Sequence, residues 1–462
     1  MTRRFNPVVS STPFKKLVLS GLLLSCSTAV LSMDLLKAYE AATLQDATIL
    51  AARATAKAGR ESLPQALAQL LPNISASVGY NQNNLTSTSP NFLGVDQTTK
   101  RDYPSQNQTL TLRQPLYRPL LIAQYQQAGA RVDDANAMLN QEEQNLVVRV
   151  VGAYFEAMLT HEQLDLVLAQ RKAYTTQLDV ARKSFAAGSG TRTDIDAAQA
   201  QLDLNAAEEI EARQNMVFTL RQLEILVNQP IDQLSTLNVS KLQLLGPQPN
   251  NLLDWITRAE ENSPQIKSLK ALVEVARLEV DKNQSGHYPT LDAIAQLSRS
   301  QSENVTNTQN RNNNASVGLQ LNIPLFAGGG VSSSIRQALA ARDRAEQLLE
   351  AGRRDLGLRV HKEFRGLTEN IPKISALEQA LRSADQLVLS SSKSFEAGSR
   401  TVVDVLNAEQ KRTVVLRDLA QARYLYLISN IRLLALVGAA DVETLRSINE
   451  ERIQSPKLKV YV

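Results

Sequence analysis

The sequence predicts a mainly α-helical chain that also supplies strands to a membrane β-barrel, built from two tandem strand and long-helix repeats. Residues 184–200 read SFAAGSGTRTDIDAAQA and residues 394–410 read SFEAGSRTVVDVLNAEQ, with matching positions 210 apart. Long helical patterns run into and out of both segments, and a pair of alternating strands precedes each long helix. A match at one fixed distance indicates that a single structural unit occurs twice.

The composition excludes several function classes. Hydrophobic residues make up 43% of the 462 residues but aromatic residues only 5%, which is typical of long helices with small residues at their contacts. Four of the 50 basic residues lie within 1–32, where no acidic residue occurs, so the remaining 46 balance the 46 acidic residues. No basic patch interleaved with aromatic residues is present, and a nucleic-acid partner is not expected.

Residues 1–32 are predicted to be a signal peptide. A basic segment that ends at Lys16 precedes a short apolar run and then small residues. Cleavage after Ser32 is one reading; the other is a lipoprotein signal cut before Cys26, which would then carry lipid. With ordinary cleavage the mature chain has no cysteine, which excludes disulfides and thiol catalysis.

Each repeat is predicted to begin with an amphipathic helix, over 34–61 in the first and 252–284 in the second. Pro72 and Pro289 then introduce strands in which apolar and polar residues alternate. The apolar positions are Ile74, Ala76, Val78 and Tyr80 in the first repeat and Leu291, Ala293, Ala295 and Leu297 in the second. A period of two is typical of a strand between an apolar and a polar environment.

Two polar stretches follow, at 81–107 and 299–314, and are predicted to be exposed loops because Asn, Ser, Thr and Gln dominate them. Returning strands are predicted at 109–115 and 315–324, each ending at a proline. Aromatic residues at the strand ends, such as Tyr117, either form a membrane girdle or pack against the helix start.

The longest predicted elements are helices over 119–187 and 331–397, each ~100 Å long at ~1.5 Å per residue. Pro372 is expected to kink or interrupt the second one. Returning helices are predicted at 193–228 and 401–437. The first has apolar residues on multiples of seven, at Ile195, Leu202, Met216 and Leu223. This 3.5-residue period predicts coiled-coil contacts with neighbouring helices.

The predicted division of the chain is a signal peptide at 1–32, a first repeat at 33–228, an equatorial linker at 229–251, a second repeat at 252–437 and a C-terminal equatorial segment at 438–462. The two segments outside the repeat are expected to pack against the middle of the long helices.

Four strands are too few to span a membrane alone, because the backbone groups at the sheet edges would be unsatisfied in lipid. Membrane barrels of this kind begin at about 8 strands, so at least two chains are needed, and three would give 12 strands. The polar face would then line water, and the long helices must project away from the bilayer as a tube.

Several motifs resemble the TolC family of outer-membrane efflux proteins. They are the strand exits LRQPLY (112–117) and LNIPLF (321–326), the two FxxGxxT tips, and the segments LLKAY (35–39) and LAQLLP (67–72), which favour the branch that serves type I protein secretion. The similarity covers nearly all of the mature chain. It implies a homotrimer with a 12-stranded barrel in outer-membrane lipid and an α-helical tunnel in the periplasm. It also implies a periplasmic adaptor and an inner-membrane ABC or RND transporter as partners.

The resemblance also assigns roles at the second tip. Two positions one turn apart line the tunnel entrance of the family, and here they are Asp404 and Asn407. Threefold symmetry would give a ring of three carboxylates, and close like charges raise one another's pKa and attract cations. Asn407 removes three charges from this ring, so a weaker cation filter is expected. Alternatively, Asp404 is only a first-turn acid that the helix dipole favours.

A latch is implied between the two tips. Arg400 matches the family's arginine, and Thr193 and Asp194 match its acceptors. An arginine–carboxylate pair is directional and can be broken. The alternative is an ordinary surface ion pair worth ~0–1 kcal/mol. Phe395 replaces a tyrosine of the family and has no hydroxyl, so a looser closed state is expected.

The remaining tip residues are predicted to shape the turns and to meet the adaptor. Gly188 and Gly398 are expected in left-handed geometry, and Thr191 and Thr401 are expected as helix caps. The three histidines lack metal-ligand spacing and are predicted to be surface or hydrogen-bonded residues. No nucleophile–base set or phosphate loop occurs, so neither an enzyme nor a cofactor is expected.

The predicted function is a passive outer-membrane exit duct for type I protein secretion or multidrug efflux, gated at its periplasmic tip. The alternative is a periplasmic coiled-coil scaffold without channel activity, which the alternating strands oppose.

Overall fold

A computed structural model describes residues 33–238, 242–303 and 309–459. The predicted signal peptide and Cys26 lie outside the described residues. The predicted order of helix, strand pair, long helix and returning helix is present twice. The first repeat contains α1 (Leu35–Gln45), α2 (Ala47–Arg60), α3 (Ser62–Ala68), β1 (Asn73–Pro90), β2 (Asp96–Tyr117), α4 (Pro119–Ala186) and α5 (Arg192–Val227).

The second repeat follows a short strand. The remaining elements are β3 (Gln233–Leu237), α6 (Leu252–Asn262), α7 (Pro264–Gln284), β4 (Thr290–Glu303), β5 (Gln309–Asn322), α8 (Gly330–Glu396), α9 (Val402–Leu436), α10 (Val442–Arg452) and β6 (Ile453–Lys459).

The helix that opens each repeat is divided, and the prediction of one continuous helix is wrong in both cases. Asp46 ends α1 and caps α2, because its carboxylate accepts from Ile49 N at 3.1 Å and from Arg149 Nη2 at 2.7 Å. In the second repeat Pro264 begins α7 and breaks the helix after α6. Pro64 lies in the first turn of α3, where a missing N–H costs no helical hydrogen bond.

The strands are longer than predicted. The polar stretches expected as loops continue the ladders, leaving residues 91–95 as the turn between β1 and β2. Polar side chains bridge the strands there: Asn84 donates to Asp102 at 2.7 Å, and the Thr88 and Thr98 hydroxyls lie 2.8 Å apart. These segments are polar on both faces, so they carry no alternation from which a strand could be predicted. Pro115 does not end β2, which runs on to Tyr117 through an irregularity in its pairing.

The four long strands form one antiparallel sheet in the order β1–β2–β4–β5. The register places Ile74 opposite Leu112, Leu112 opposite Ala295, and Ala295 opposite Val317. All four therefore lie on one face, here called the outward face. Val317 is 87% exposed and Ile74 is 69% exposed, so this apolar face is uncovered in the single chain.

Two very long helices run from the sheet to the tips. α4 has 68 residues and α8 has 67, which at ~1.5 Å per residue gives ~100 Å each. α8 is continuous through Pro372, so the predicted interruption does not occur. Leu367 and Ile374 are fully buried on either side of this proline, and their packing holds the helix together there.

The main core lies halfway along the helices. It joins the middle of α4, α8 and α9 to α1 and to the segments outside the repeat, as expected, with Tyr154, Phe155, Leu223, Trp255, Leu356, Tyr426 and Leu445 among its buried side chains. The sequence did not predict the pairing of β3 with β6 there. Tyr154 donates to the carbonyl oxygens of Met33 and Ser235, which ties this strand pair to α4.

None of the described helices is both long enough and apolar enough to cross a bilayer.

Candidate functional site: the helical tips

The two tips match in sequence and in their backbone hydrogen bonds. Gly188 and Gly398 both adopt left-handed backbone with φ of 74°. In the first tip Ser189 N donates to Ser184 O at 2.9 Å, and in the second Ser399 N donates to Ser394 O at the same distance. This is the helix-ending arrangement that a left-handed glycine permits, because a side chain would be strained there.

Thr191 and Thr401 begin the returning helices α5 and α9 with the same capping box. Thr191 Oγ1 accepts from Asp194 N at 3.2 Å, and the Asp194 carboxylate accepts from Thr191 N at 3.0 Å. In the second tip Thr401 accepts from Asp404 N at 3.4 Å, and Asp404 accepts from Thr401 N at 3.0 Å. Each pair satisfies two backbone donors that the helix start would leave unpaired.

Asp404 therefore has a local structural role as well as its predicted role at the tunnel entrance. Hydrogen bonds from the Thr401 backbone and hydroxyl, together with the nearby Arg400 charge, lower the pKa of Asp404. The carboxylate therefore stays ionised to a lower pH than an ordinary aspartate. Asn407 lies one turn further on and is exposed. In a single chain the two predicted entrance positions thus supply one carboxylate, and the ring of three stays a prediction.

Arg400 contacts its own hairpin. Its Nη1 donates to the buried Ser391 hydroxyl at 3.5 Å. Across the described residues, no hydrogen bond or ion pair joins Arg400 to Thr193 or Asp194, and the Asp194 carboxylate is used by its own cap. The latch stays a prediction, for an arrangement in which the tips come closer together.

An apolar cluster that sequence reasoning missed joins the two hairpins just behind the tips. This tip cluster consists of the buried residues Tyr174, Leu178, Ala181, Ala198, Val402 and Leu406. Phe395 packs against it and is half-buried, whereas its counterpart Phe185 is 47% exposed. A signal was present, since 174, 178 and 181 share one helix face at i, i+4 and i+7. Phe395 thus has an apolar environment here.

Polar contacts hold the first hairpin behind the tip cluster. Gln170 Nε2 donates to the Tyr174 hydroxyl at 2.6 Å, and Asn205 Nδ2 reaches Gln170 Oε1 at 3.3 Å. The Glu209 carboxylate accepts from Arg171 at 2.6 Å and from Arg213 at 2.9 Å. Two of these contacts, Asn205 to Gln170 and Arg171 to Glu209, cross between α4 and α5, so they fix the register of the two helices.

A second group of residues that the sequence did not single out lies where the sheet meets the helices. Asp292 on β4 is almost fully buried, and its carboxylate accepts from Arg113 Nη2 at 2.6 Å and from Arg118 Nε at 2.8 Å. Arg113 is on β2, and Arg118 directly precedes α4. An acidic residue within the otherwise uncharged alternating segment 290–298 was the available signal.

Comparison with known proteins places this architecture. The family model described as outer membrane efflux protein matches residues 38–229 and 255–439. The proteases secretion protein PrtF of Dickeya chrysanthemi is 31% identical over 437 residues, covering 94% of each chain.

The chain belongs to the outer membrane efflux protein family.

Two further comparisons agree. The alkaline protease secretion protein AprF of Pseudomonas aeruginosa is 33% identical over 414 residues, covering 89% of this chain and 85% of the relative. The crystal structure of the outer membrane protein VceC of Vibrio cholerae superimposes with a TM-score of 0.73 at 18% identity, over 88% of this chain and 97% of that one, which shows the common fold.

Membership confirms the expected location and role at the level of the family. This efflux-family chain is an outer-membrane protein and serves as an exit duct for secretion or efflux. Proteins of the family are channels and transport proteins. The predicted resemblance to TolC and to the type I secretion branch is confirmed at the same level.

One histidine differs from expectation. His161 of the efflux-family chain is buried on α4, and neither ring nitrogen makes a hydrogen bond; Nδ1 lies 3.4 Å from Asp165 Oδ2. It is thus neither a surface residue nor a hydrogen-bonded one, because the surrounding helices cover it. In the described part of the chain, no group of three His, Cys, Asp or Glu residues could hold a metal ion.

Proposed function

We propose that this chain forms a passive, trimeric exit duct whose periplasmic tips act as its gate. One observation carries the proposal: the sheet has an exposed apolar outward face and two unpaired edge strands, and helices of ~100 Å extend from one end of it. An exposed apolar face fits lipid. A sheet in lipid needs closed edges, because an unsatisfied backbone group costs several kcal/mol there.

Closure by other copies of this chain supplies those edges. β1 and β5 are the outer strands of the sheet, and the helical layer likewise ends at α5 on one side and α8 on the other. In a trimer, β5 of each copy would pair with β1 of the next copy, and α8 would pack against α5 of the next copy. The barrel would then have 12 strands, a size within the known range. The inward rows, such as Ser75, Thr111 and Gln296, are polar and would line water.

α5 carries an apolar stripe that fits this contact. Its exposed apolar residues are Leu204, Ile210, Val217, Phe218 and Ile225. They recur at about seven residues, as expected for a helix seam. The heptad residues Met216 and Leu223 are buried within the chain, as expected for contacts with its own neighbouring helices. α5 therefore has a second seam free for a neighbouring copy.

The trimer is tested by placing a charge in this stripe. Phe218→Glu should lower the fraction of trimer in detergent, measured by native mass spectrometry, because a charged group would replace a large apolar side chain at the contact and would have to lose its water. Asn215→Glu is the matched control, since Asn215 faces the groove between α5 and α9 on the same helix. Equal trimer fractions for the two variants would contradict the proposed interface.

The proposed gate consists of a few residues at the two tips. Arg400 latches the closed tips onto Thr193 and Asp194 of the other hairpin, Asp404 and Asn407 face the entrance, and the turns at Gly188, Thr191, Gly398 and Thr401 meet an adaptor. Arg400→Ser should raise the conductance of the channel in a planar bilayer. Arg192→Ser is the control, because Arg192 lies at the first tip and pairs with Asp196 at 3.1 Å. Unchanged conductance for Arg400→Ser would contradict the proposed latch.

The cargo is proposed to be protein, delivered by an adaptor and an inner-membrane ABC transporter, because two similar chains carry names for protease secretion. Multidrug efflux with an RND pump is the second candidate, and the family description favours it. The transporter encoded beside this gene distinguishes the two. A periplasmic scaffold without channel activity would instead be released without detergent and would not conduct.

A further inference from the structure

We propose that Arg299 and Arg311 form a binding site for the phosphate groups of the glycolipid in the outer leaflet of the outer membrane. The inference rests on the proposed barrel, because only a sheet in the membrane presents these side chains to lipid. It adds a ligand class and named residues to that proposal.

The register places both arginines on the outward face. Arg299 continues the apolar series of β4 that includes Leu297, and it pairs with Asn313 on β5. Arg311 pairs with Gln301, two residues further along β4. The arginines are therefore diagonal neighbours on adjacent strands, a separation of about 7–8 Å that long side chains can bridge to one ligand.

The position of the two arginines along the strands matches the edge of the hydrocarbon layer. The outward apolar positions of β4 begin at Leu291 and end at Leu297. Eight residues separate Leu291 from Arg299, which is ~27 Å along a strand at ~3.4 Å per residue. A strand tilt of about 35–45° reduces this to ~20 Å, close to the ~25 Å apolar band of membrane barrels. The arginines then lie at headgroup level, on the side away from the helices.

The lower edge of the band has a different chemistry. Tyr117 is 47% exposed and Tyr288 is 49% exposed at the helix end of the strands, so about half of each side chain is open to a surrounding lipid. Aromatic residues at one boundary fit a phospholipid interface. Arginine at the other boundary fits a leaflet whose lipid carries phosphates, since guanidinium binds phosphate oxygens in a bidentate manner.

Neither arginine has an acidic residue directly opposite it on a neighbouring strand. Within the described residues Arg299 has no hydrogen bond or ion pair, and Arg311 reaches only Gln301 Oε1 at 3.5 Å. The adjacent outward positions on β2 are Gln106 and Gln108, which are uncharged. Two neighbouring positive charges without a carboxylate repel each other, and a phosphate dianion between them removes that repulsion.

One acidic residue stands nearby by register. Glu303, two residues beyond Gln301 on β4, pairs with Gln309 one row further from the apolar band. A lipid phosphate would approach from the band side, where no acidic residue occupies the outward rows between Leu291 and Gln301. Replacing Glu303 by Gln is therefore expected to raise lipid retention or leave it unchanged, and a clear loss would contradict the proposed geometry.

The test uses the full-length protein purified in a neutral detergent and mixed with lipid A that carries both phosphates. Retained lipid per trimer is counted by native mass spectrometry. The double variant Arg299→Gln/Arg311→Gln should retain about tenfold less lipid A than the wild type, because two charged hydrogen-bonding groups are lost. Arg354→Gln/Arg382→Gln removes the same charge from exposed positions of α8 and should retain as much as the wild type.

Three results would overturn the inference: equal retention by both double variants, equal retention of dephosphorylated lipid A by the wild type, or full displacement by inorganic phosphate. Insertion into neutral phosphatidylcholine vesicles separates this inference from the barrel on which it rests. Wild type and variant should both insert. If the wild type does not insert, both the proposed barrel and the proposed lipid site are wrong. If it inserts but retains no lipid A, only the proposed lipid site is wrong.

Discussion

Arg118, the residue before α4, donates through Nε to the buried carboxylate of Asp292 on β4 at 2.8 Å, across 174 residues of sequence. Arg113 on β2 donates to the same carboxylate at 2.6 Å. The start of the first long helix is thereby fixed to the first strand of the second repeat. The direction in which the helices leave the sheet depends on this contact, because it is made where the sheet and the helices meet.

Removal of the Asp292 carboxylate should destabilise this junction. Asp292→Ala leaves the Arg113 and Arg118 guanidinium groups without their partner. These side chains are 48% and 28% exposed, so water can solvate them, and the expected loss is about 1–2 kcal/mol, less than for a fully buried pair. The measurement is the midpoint of denaturant unfolding in detergent. Asp292→Asn keeps a hydrogen-bond acceptor of the same shape and should lose less. An unchanged midpoint for Asp292→Ala would show that the contact does not stabilise the junction.

Glu162 on α4 should make the chain more stable as pH falls from neutral. Burial raises the pKa of Glu162, and the Tyr424 hydroxyl and Arg423 only partly oppose this. The folded state therefore binds a proton more readily than the unfolded state. The stabilising contribution is complete below the unfolded pKa, near 4.5, and is lost as pH rises through the higher folded pKa. Thermal unfolding of wild type and Glu162→Gln, compared between pH 4.5 and pH 7, measures it.

The variant should show a smaller gain on acidification than the wild type, since it cannot take up this proton. Tyr424→Phe removes a hydrogen bond that favours the charged form, so it should extend the wild-type gain to higher pH. Parallel pH profiles for wild type and Glu162→Gln would contradict the assignment.

The tip cluster should hold the two hairpins together. Leu406 is 3% exposed and packs with Tyr174 and Leu178 of the other hairpin. Leu406→Ala should destabilise this contact by about 2–4 kcal/mol through lost burial and a cavity. Limited proteolysis should then cut faster at the exposed turns near Gly188 and Gly398. Leu389→Ala, at a position 47% exposed on α8, is the control and should leave the cleavage rate unchanged.

The repeat, most of the element types and the tip turns follow from the sequence. Local chemistry is sufficient for these features. A left-handed glycine followed by Thr and Asp three residues apart specifies a helix end and a capped start in both tips. Alternation over Leu291 to Leu297 specifies a strand, and the long segments without proline specify helices. The motif resemblance supplied the family, which the comparisons confirmed.

Tertiary structure alone decided the features that depend on distant partners. The polar extensions of β1 and β2 are strands because their backbones pair with each other, and neither face carries a signal of burial. Pro372 stays within a helix because Leu367 and Ile374 are packed on both sides of it. Asp292 is marked in the sequence only as an acid in an alternating strand, and it becomes a junction residue only when Arg113 and Arg118 are brought to it. Burial of a carboxylate with two arginines is favourable only in that geometry, and no local pattern encodes it.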